Sequence, residues 1–319
     1  MLTARFADGC VRPFEERHIV CAFHDIDGTH SLIREWPPVM SIVLNDVIEN
    51  GLPEDFDSEF NLKRLIDAAG TKPLPETDRF CVESAGLSAL TQMEWAIRRA
   101  VEEGKVSVLC DMTVNSQKVK GIYEGRERFE ELSETPEMDA MLKEFTPRLF
   151  KLYEKVLNGY CRDKNLALAR KDPERFRVKG SMEFLEKLRR AGVKNYFVTG
   201  AVVEKGMGMF EEVEGLGYPI GEGLMIEDII GSTWDEKMPK DEIMRMLLKK
   251  LGLKGEQVLV TGDGRSEIDA GAQMGALTLS RLNPSQERQK ELHLKLGTHM
   301  IVSDFFDPLI EKVFEFTEG

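Results

Sequence analysis

The sequence predicts an α/β protein, a doubly wound parallel sheet with an inserted, mostly helical domain. Two observations indicate this fold class. From residue 175 onward, short β-branched runs alternate with helical patterns, which is typical of a parallel sheet flanked by helices. About 150 residues with a helical pattern separate the first predicted strand from the second. Because 319 residues exceed the usual size of a single hydrophobic core, an insertion is expected.

The predicted strands are short apolar runs, most of which end in polar residues or glycine. They cover residues 19–24, 193–198, 225–230, 257–262, 276–280 and 299–303. Between the later strands, apolar residues recur at helical spacing. This spacing predicts helices over residues 181–191, 241–251 and 304–316.

The inserted block contains two apolar stripes at helical spacing, one over residues 90–101 and one over 138–156. Both stripes are interpreted as the packed faces of core helices. Residues 51–79 are rich in Asp, Glu, Pro and Gly, which favours loops and short helices. The predicted domains are a core over 1–30 and 174–319 and a helical domain over 31–173.

The charge balance excludes some partners. Asp and Glu outnumber Lys and Arg by 56 to 43, for a net charge of −13, which repels nucleic acid phosphates and anionic lipids. No run approaches the roughly 18 apolar residues of a membrane span. We therefore expect neither a nucleic acid nor a membrane partner, and the sequence leaves the oligomeric state open.

The cysteines favour a cytoplasmic location. There are five of them, widely spaced and with no CxxC pair, as expected for reduced thiols. Charged residues at Arg5, Asp8 and Arg12 interrupt any apolar stretch at the start, so no signal peptide is predicted.

The first predicted strand runs into two aspartates. Asp25 and Asp27 are spaced i and i+2, so both can reach a site beyond the edge of the sheet. One carboxylate can attack phosphorus while the other protonates the leaving oxygen. A calcium loop is excluded, because Gly28 comes two positions too early and Trp36 stands where a bidentate Glu is needed. A surface turn stays open as the alternative.

Two further segments carry groups that suit a phosphate. Thr199 and Gly200 follow the second strand, where a hydroxyl and an amide at a helix start could bind a phosphate oxygen, although Thr is also an ordinary N-cap. Lys237 and Lys240 precede a helix, and an ammonium there could hold an aspartate and a phosphoryl oxygen together. An ordinary solvated lysine is the alternative.

A third strand ends in Gly262-Asp263-Gly264, with Glu267 and Asp269 on the next turn. Their carboxylates are hard oxygen ligands for Mg²⁺, and the alternative is a tight turn with capping acids. The carboxyl ends of parallel strands meet at one edge, where open α/β sheets bind ligands. All these groups are therefore expected at a single site.

In this order, the segments resemble the haloacid dehalogenase (HAD) superfamily, which has a Rossmann-like core. Asp25 and Asp27 match its DxDGT nucleophile motif, and Thr199 matches the Ser or Thr of its second motif. GDGRSEIDAG, from Gly262, matches the acidic fourth motif. The resemblance implies a Mg²⁺-dependent enzyme in which Asp25 is the nucleophile and Asp27 the proton carrier. It implies as metal ligands Asp25, Asp27 through its backbone carbonyl, Asp263 and Glu267.

Some positions leave alternatives open or depart from the family pattern. Lys240 lies twelve residues before Gly252, as in members whose lysine opens the helix, while Lys237 resembles a Lys-Pro signature. Glu267 stands where the family usually has Asp, so its metal contact could run through water, with Asp269 as a substitute. His24 stands where many members carry Phe or another apolar residue, and is interpreted as a packing variation.

The insertion lies where many HAD members carry a helical cap that selects the substrate. DGTHSLIREW and the later Ser84-Ala85-Gly86 and Gln92-Met93 resemble a group of poorly defined members. This resemblance makes Arg34, Gly86 and Gln92 candidate substrate contacts. Four basic residues of the insertion are interpreted as a solvated face: Lys118, Lys120, Arg126 and Arg128.

With Asp27 present, the resemblance implies hydrolysis or phosphotransfer, because haloacid dehalogenases proper lack this acid and the ion pumps of the superfamily place Thr there. The expected function is that of a phosphatase that hydrolyses a small phosphorylated metabolite, with sugar phosphates among the candidates, through an aspartyl phosphate. The alternatives are a phosphomutase or phosphotransferase of the same superfamily and a ligand-binding protein without activity.

Overall fold

A computed structural model describes residues 2–33, 36–84, 86–233 and 238–317. These residues form two compact units. The first, here called the core unit, contains the described residues of 2–33, 166–232 and 238–317, and the second, the inserted unit, contains 36–165 and Thr233. The inserted unit thus ends at residue 165, whereas the sequence places the boundary at 173. The predicted assignment of a catalytic core and a cap stays a prediction.

The strands of the described residues all belong to the core unit. They are β1 (Leu2–Ala4), β2 (Arg17–Ile19), β3 (Cys21–His24), β4 (Lys194–Val202), β5 (Asp228–Ser232), β6 (Val258–Gly262), β7 (Leu277–Arg281), β8 (Met300–Val302) and β9 (Phe314–Phe316).

The helices occupy both units. They are α1 (Trp36–Asn50), α2 (Glu59–Ala68), α3 (Pro75–Glu83), α4 (Ala89–Glu102), α5 (Met112–Tyr123), α6 (Pro136–Leu157), α7 (Asp163–Ala169), α8 (Ser181–Arg190), α9 (Gly208–Gly215), α10 (Lys240–Leu251), α11 (Arg265–Gln273), α12 (Glu287–Leu296) and α13 (Pro308–Val313). A π-helical segment, Asn158–Arg162, joins α6 to α7, and 3₁₀ turns cover Pro173–Phe176 and Gly255–Gln257. Across the described ranges, no helix has the length and apolar character that crossing a bilayer requires.

The main sheet has six parallel strands in the order β5-β4-β3-β6-β7-β8. After β3 the chain builds β4 and β5 on one side, then crosses to β6 and builds outward on the other. The central strands β3 and β6 are buried throughout, as their continuous apolar runs predict for parallel strands covered on both faces. The predicted doubly wound fold is therefore confirmed, and its switch point lies beside β3.

A small antiparallel sheet, in the order β2-β1-β9, changes two of the sequence predictions. The strand predicted over 19–24 is two strands, because Ile19 pairs with Leu2 in the small sheet while Cys21 starts β3. The helix predicted over 304–316 is wrong at both ends. Pro308 starts α13, and the chain then leaves the helix to pair Phe314–Phe316 with β1.

Strand β4 is longer than predicted. It continues to Val202, where it pairs with Ser232 of β5 after an irregularity beyond Val198. The pairing of β4 with β5 is therefore irregular between Val198 and Val202. The prediction that Thr199 and Gly200 open a helix is wrong, because the next helix, α9, begins only at Gly208.

Both apolar stripes of the insertion lie on helices, as predicted. The first lies in α4, where Trp95 stacks on Phe80 at 3.7 Å between ring centroids, and the second lies in α6. The interpretation of Lys118 as solvated is wrong. Its ammonium is buried and donates to Glu134 at 2.5 Å, beside the buried Arg98, which donates to the same oxygen at 2.6 Å.

A buried histidine links β7 to β8. The Nδ1 atom of His299 accepts from the Thr278 amide at 3.2 Å and lies 2.8 Å from the Thr278 hydroxyl. Burial, reinforced by the nearby charges of Arg17 and Arg12, lowers the pKa of His299 to about 4. The unfolded chain, with a histidine pKa of about 6.5, binds this proton more readily. The stability that neutral His299 contributes is therefore present above pH 6.5 and is lost as the pH falls towards 4.

We expect His299→Asn to flatten the pH dependence of stability. The Asn oxygen can accept from Thr278 but cannot titrate. Between pH 6 and 4.5, the free energy of unfolding should therefore fall by about 1 kcal/mol less per pH unit in this variant than in the wild type. Urea unfolding at several pH values measures both slopes. Parallel slopes for the two proteins would show that His299 does not contribute.

Candidate active site

The candidate site starts at the loop that follows β3. The amide of Asp25 still donates to Thr261 of β6 at 2.9 Å, so the strand direction carries Asp25 to the carboxyl edge of the sheet. The carbonyl of Ile26 then accepts from the amides of Thr29, His30 and Ser31. Gly28 has a φ of +81°, which favours glycine and lets the loop reverse. The segment is thus a turn that contains both Asp25 and Asp27, and the catalytic role of the two acids stays a prediction.

Lys240 is buried between two carboxylates. Its Nζ atom lies 2.5 Å from Oδ1 of Asp25 and 2.9 Å from Oε2 of Glu267. The exposed fractions of Lys240, Asp25 and Glu267 are 3%, 6% and 0%. The structure therefore places Lys240, one of the two candidate lysines, at Asp25, and it is the first residue of α10. The other candidate, Lys237, lies outside the described residues.

The protonation of this cluster follows from burial and charge. Burial raises the pKa of Asp25 to about 7, opposed by Lys240 and reinforced by the charges of Glu267 and Asp263. Burial alone would lower the pKa of Lys240, but the two adjacent carboxylates outweigh it and raise that pKa. Burial would also raise the pKa of Glu267, yet Lys240 and the backbone amides hold it below its usual value. The lysine is therefore a charged ammonium.

A group of carboxylates beside Lys240 could hold a metal ion. Asp25, Asp263 and Glu267 each offer an oxygen, and these oxygens lie within 4.8 Å of one another. The Thr29 hydroxyl lies 3.3 Å from Asp25 and 3.4 Å from Asp263 and bridges the two side chains. A set of carboxylate oxygens suits Mg²⁺, which prefers hard ligands. Asp269 does not belong to this group among the described residues.

Glu267 already has donors on both oxygens. Oε1 accepts from the Gly264 amide at 2.5 Å, and Oε2 accepts from Lys240 and from the Ser266 hydroxyl at 3.1 Å. Whether a metal contact of Glu267 is direct or runs through water stays a prediction. Glycines on both sides of Asp263 make room for the longer acid. A Cβ at Gly262 would lie 2.1 Å from Cγ of Glu267, and one at Gly264 would lie 2.8 Å from Oε1.

Thr199 lies at the same edge of the sheet as Asp25. Strand β4 pairs with β3 so that Phe197 is level with His24, which places Thr199 just beyond the end of β3. The Thr199 hydroxyl accepts from the Ala201 amide at 3.1 Å. Thr199 is thus on the strand next to Asp25, but in a strand irregularity and not at a helix start.

A model of the haloacid dehalogenase-like hydrolase family matches residues 56–275, more than half of the chain. The chain belongs to the haloacid dehalogenase-like hydrolase family. This confirms the resemblance found in the sequence and identifies the chain as an enzyme of a hydrolase family. No curated protein matches the chain.

Solved structures with related folds share little sequence with this HAD family member. They include a predicted phosphatase from Clostridium acetobutylicum, with 14% identity, 92% of this chain and 98% of that chain covered, and a TM-score of 0.49. A β-phosphoglucomutase from Clostridium difficile has 14% identity, 92% and 97% coverage and a TM-score of 0.46. A phosphonoacetaldehyde hydrolase like protein from Oleispira antarctica has 14% identity, 95% and 92% coverage and a TM-score of 0.47. The HAD assignment therefore rests on the family model.

The candidate substrate contacts of this HAD protein fall in or next to the insertion. Arg34 lies outside the described residues. Gly86 lies between α3 and α4 with a φ of +95°. Gln92 is buried in α4, and its Nε2 atom donates to the Ser84 hydroxyl at 2.8 Å. The structure thus places the Gln92 amide in a contact within the inserted unit, and its role towards a substrate stays a prediction.

Sequence reasoning missed a cation that binds the loop of Asp25 and Asp27. Arg281, buried at the end of β7, donates to the Gly28 carbonyl at 3.1 Å and to the Ser303 carbonyl at 2.9 Å. Its position at a strand end on the same edge of the sheet is a signal that could have identified it. A second missed contact is the bond of 2.6 Å from the Ser31 hydroxyl to Glu212.

We expect Gly262→Ala to lower the free energy of unfolding by about 1–3 kcal/mol, because overpacking forces Glu267 away. Gly264→Ala should cost less, since it meets only the movable end of the same side chain. Combining Gly262→Ala with Glu267→Ala should cost less than the sum of the single changes. Urea unfolding measures this cycle, and strict additivity would mean that Glu267 is not what requires glycine at 262.

Proposed function

We propose that the protein is a magnesium-dependent phosphatase that hydrolyses a phosphate monoester of a small metabolite through an aspartyl phosphate. The observation that carries the proposal is the Lys240 ammonium 2.5 Å from the Asp25 carboxylate, with Asp263 on the other side of Thr29. A nucleophilic carboxylate and an anionic phosphate repel each other, so the reaction requires positive charge at this place. Family membership and the acid pair support the same reaction.

The carboxylates of Asp25 and Asp263 and the backbone carbonyl of Asp27 would hold the magnesium ion. When bound, the ion supplies positive charge that offsets the charge of the phosphoryl group. Glu267 would not bind the ion directly, because its oxygens accept hydrogen bonds from Lys240 and Gly264. Its task is then to keep the ammonium in place.

In the first step, a carboxylate oxygen of Asp25 attacks phosphorus. A new oxygen–phosphorus bond forms as the bond to the leaving alkoxide breaks, in line with the attack. The phosphoryl oxygens are bound by Lys240, the Thr199 hydroxyl and the Gly200 amide. The proposed role of Gly200 depends on its place next to Thr199 at the edge of the sheet.

Asp27 moves the proton in both steps. It first donates a proton to the leaving alkoxide, which departs as an alcohol. It then accepts a proton from the water that attacks the aspartyl phosphate. Phosphate leaves, and Asp25 returns as a carboxylate. The second residue of the pair thus serves as the acid in one half of the reaction and as the base in the other.

The inserted unit is proposed as the cap that selects the substrate. Arg34, Gly86 and Gln92 are its candidate contacts, and Lys237 is a further candidate for phosphate. Sugar phosphates are among the candidate substrates. The net charge of −13 disfavours nucleic acids, and the five widely spaced cysteines favour a cytoplasmic location.

We expect Asp25→Asn to abolish magnesium-dependent hydrolysis of p-nitrophenyl phosphate, because the amide is not a nucleophile. Asp27→Asn should lower kcat roughly 10²- to 10⁴-fold, the usual contribution of general acid–base catalysis. Steady-state assays measure both losses, and circular dichroism confirms that the variants are folded. Full activity in either variant contradicts its assigned role. An aspartyl phosphate in the wild type that outlives the assay would favour phosphotransfer over hydrolysis.

Metal dependence separates the roles of the two acids after β6. We expect EDTA to remove activity and Mg²⁺ to restore it. Asp263→Asn should raise the Mg²⁺ concentration for half-maximal rate at least roughly tenfold, as expected for a lost ligand. Glu267→Gln should lower kcat with a smaller change in that concentration, because Glu267 contacts Lys240. Equal shifts in both variants would make Glu267 a direct ligand.

A further inference from the structure

A chain of buried polar side chains lies directly behind the proposed nucleophile. His24 Nε2 lies 3.2 Å from Oδ1 of Asn195, and His24 Nδ1 lies 3.2 Å from Nε2 of His30. His30 Nδ1 lies 2.6 Å from the hydroxyl of Ser181, which lies 2.6 Å from the hydroxyl of Tyr218. All five side chains are buried. The mechanism proposed above uses none of them.

The hydrogen positions in this chain follow from its first member. Nδ2 of Asn195 donates to the backbone carbonyls of Leu185 and Met225, at 3.1 and 3.0 Å, so Oδ1 faces His24 as an acceptor. His24 must therefore carry its proton on Nε2. Burial lowers the pKa of both imidazoles, so each ring is neutral. Nδ1 of His24 then accepts, and His30 must donate from Nε2.

The other end of the chain continues in the same direction. With its proton on Nε2, His30 accepts at Nδ1 from the Ser181 hydroxyl. The Tyr218 hydroxyl donates to Ser181 or to the backbone carbonyl of His30, which lies 3.1 Å away.

The two histidines bracket the reactive loop. His24 is the residue before Asp25, and His30 comes three residues after Asp27. Their side-chain bond therefore joins the start of this loop to its end. The backbone of His30 is held as well, because its carbonyl accepts from Tyr218 and from the Val178 amide at 3.2 Å.

Packing alone does not require these polar groups. An apolar core of the same shape needs no hydrogen-bond partners, whereas each buried polar group must be satisfied. Buried polar chains of this kind select one conformation among several compact ones. The feature to explain is that this one runs through both ends of the loop that carries Asp25 and Asp27.

We propose that His24 and His30 are positioning residues, whose mutual hydrogen bond holds the loop of Asp25 and Asp27 in its reactive conformation. They touch neither substrate nor metal. The expected effect of the two histidines on turnover rests on the proposed function. Their expected effect on the order of the loop does not depend on that function.

The main test compares His24→Phe and His30→Leu with wild type on p-nitrophenyl phosphate with magnesium. We expect each change to lower kcat roughly 10- to 100-fold, the size expected when reacting groups are misplaced by about 1 Å. KM should change less than about twofold, because the substrate contacts remain. His30→Gln offers a nitrogen donor towards His24 and should recover part of kcat.

A matched control separates positioning from loss of stability. His293 is as buried as the pair and lies 2.8 Å from the Ser280 hydroxyl, on α12 and outside the proposed machinery. His293→Leu should lower Tm without lowering kcat. If His24→Phe and His30→Leu lose no more kcat than His293→Leu, or if His30→Gln recovers nothing, the proposal fails.

Two measurements decide the proposal without turnover. Imidazole ¹⁵N NMR of the wild type should show both rings neutral with the proton on Nε2, and any other tautomer overturns the chain. Amide hydrogen exchange over residues 26–31 should be at least tenfold faster in His24→Phe and His30→Leu than in His293→Leu, and equal rates overturn positioning. A wild type without magnesium-dependent hydrolysis would refute the proposed function, while the exchange rates would still decide the role of the pair.

Discussion

The rest of the site depends on the contacts of the buried Lys240 ammonium with Asp25 and Glu267. The ammonium joins the end of β3, the start of α10 and the first turn of α11, although Asp25 lies 215 residues before Lys240. Burying charges is costly unless they are paired, and removing one partner of a buried pair typically costs about 3–5 kcal/mol. The pairing therefore stabilises one arrangement of three elements at the edge of the sheet.

The charges around this ammonium do not balance. Among the residues that the structure describes, the carboxylates of Asp25, Asp263 and Glu267 lie close together beside one lysine, Lys240. The proposed magnesium ion would offset the remaining negative charge at the oxygens of Asp25 and Asp263. Glycine on both sides of Asp263 lets Glu267 reach back to Lys240, so the backbone and the charge arrangement depend on each other.

The sequence predicts well what depends on neighbouring residues. The acids at the ends of β3 and β6 and the lysine at the start of α10 follow from local patterns, and the structure places them together. Elements that depend on distant partners were missed. Strand β9 forms because β1 pairs with it, and β4 continues past Val198 because β5 accompanies it. His24 and its partner Asn195 are 171 residues apart in the sequence. No local pattern could therefore indicate that His24 belongs to a series of hydrogen-bonded side chains.

Two adjacent backbone segments of the core unit flank the stretch that contains the inserted unit. The Leu32 amide donates to Phe176 at 2.7 Å, and Ser31 forms an antiparallel bridge with Arg177. Because these segments pair with each other inside the core unit, the residues between them can differ in length or sequence without a change in the strands of the main sheet. A chimaera that exchanges residues 33–175 would keep this pairing and leave Asp25, Lys240 and Asp263 in place.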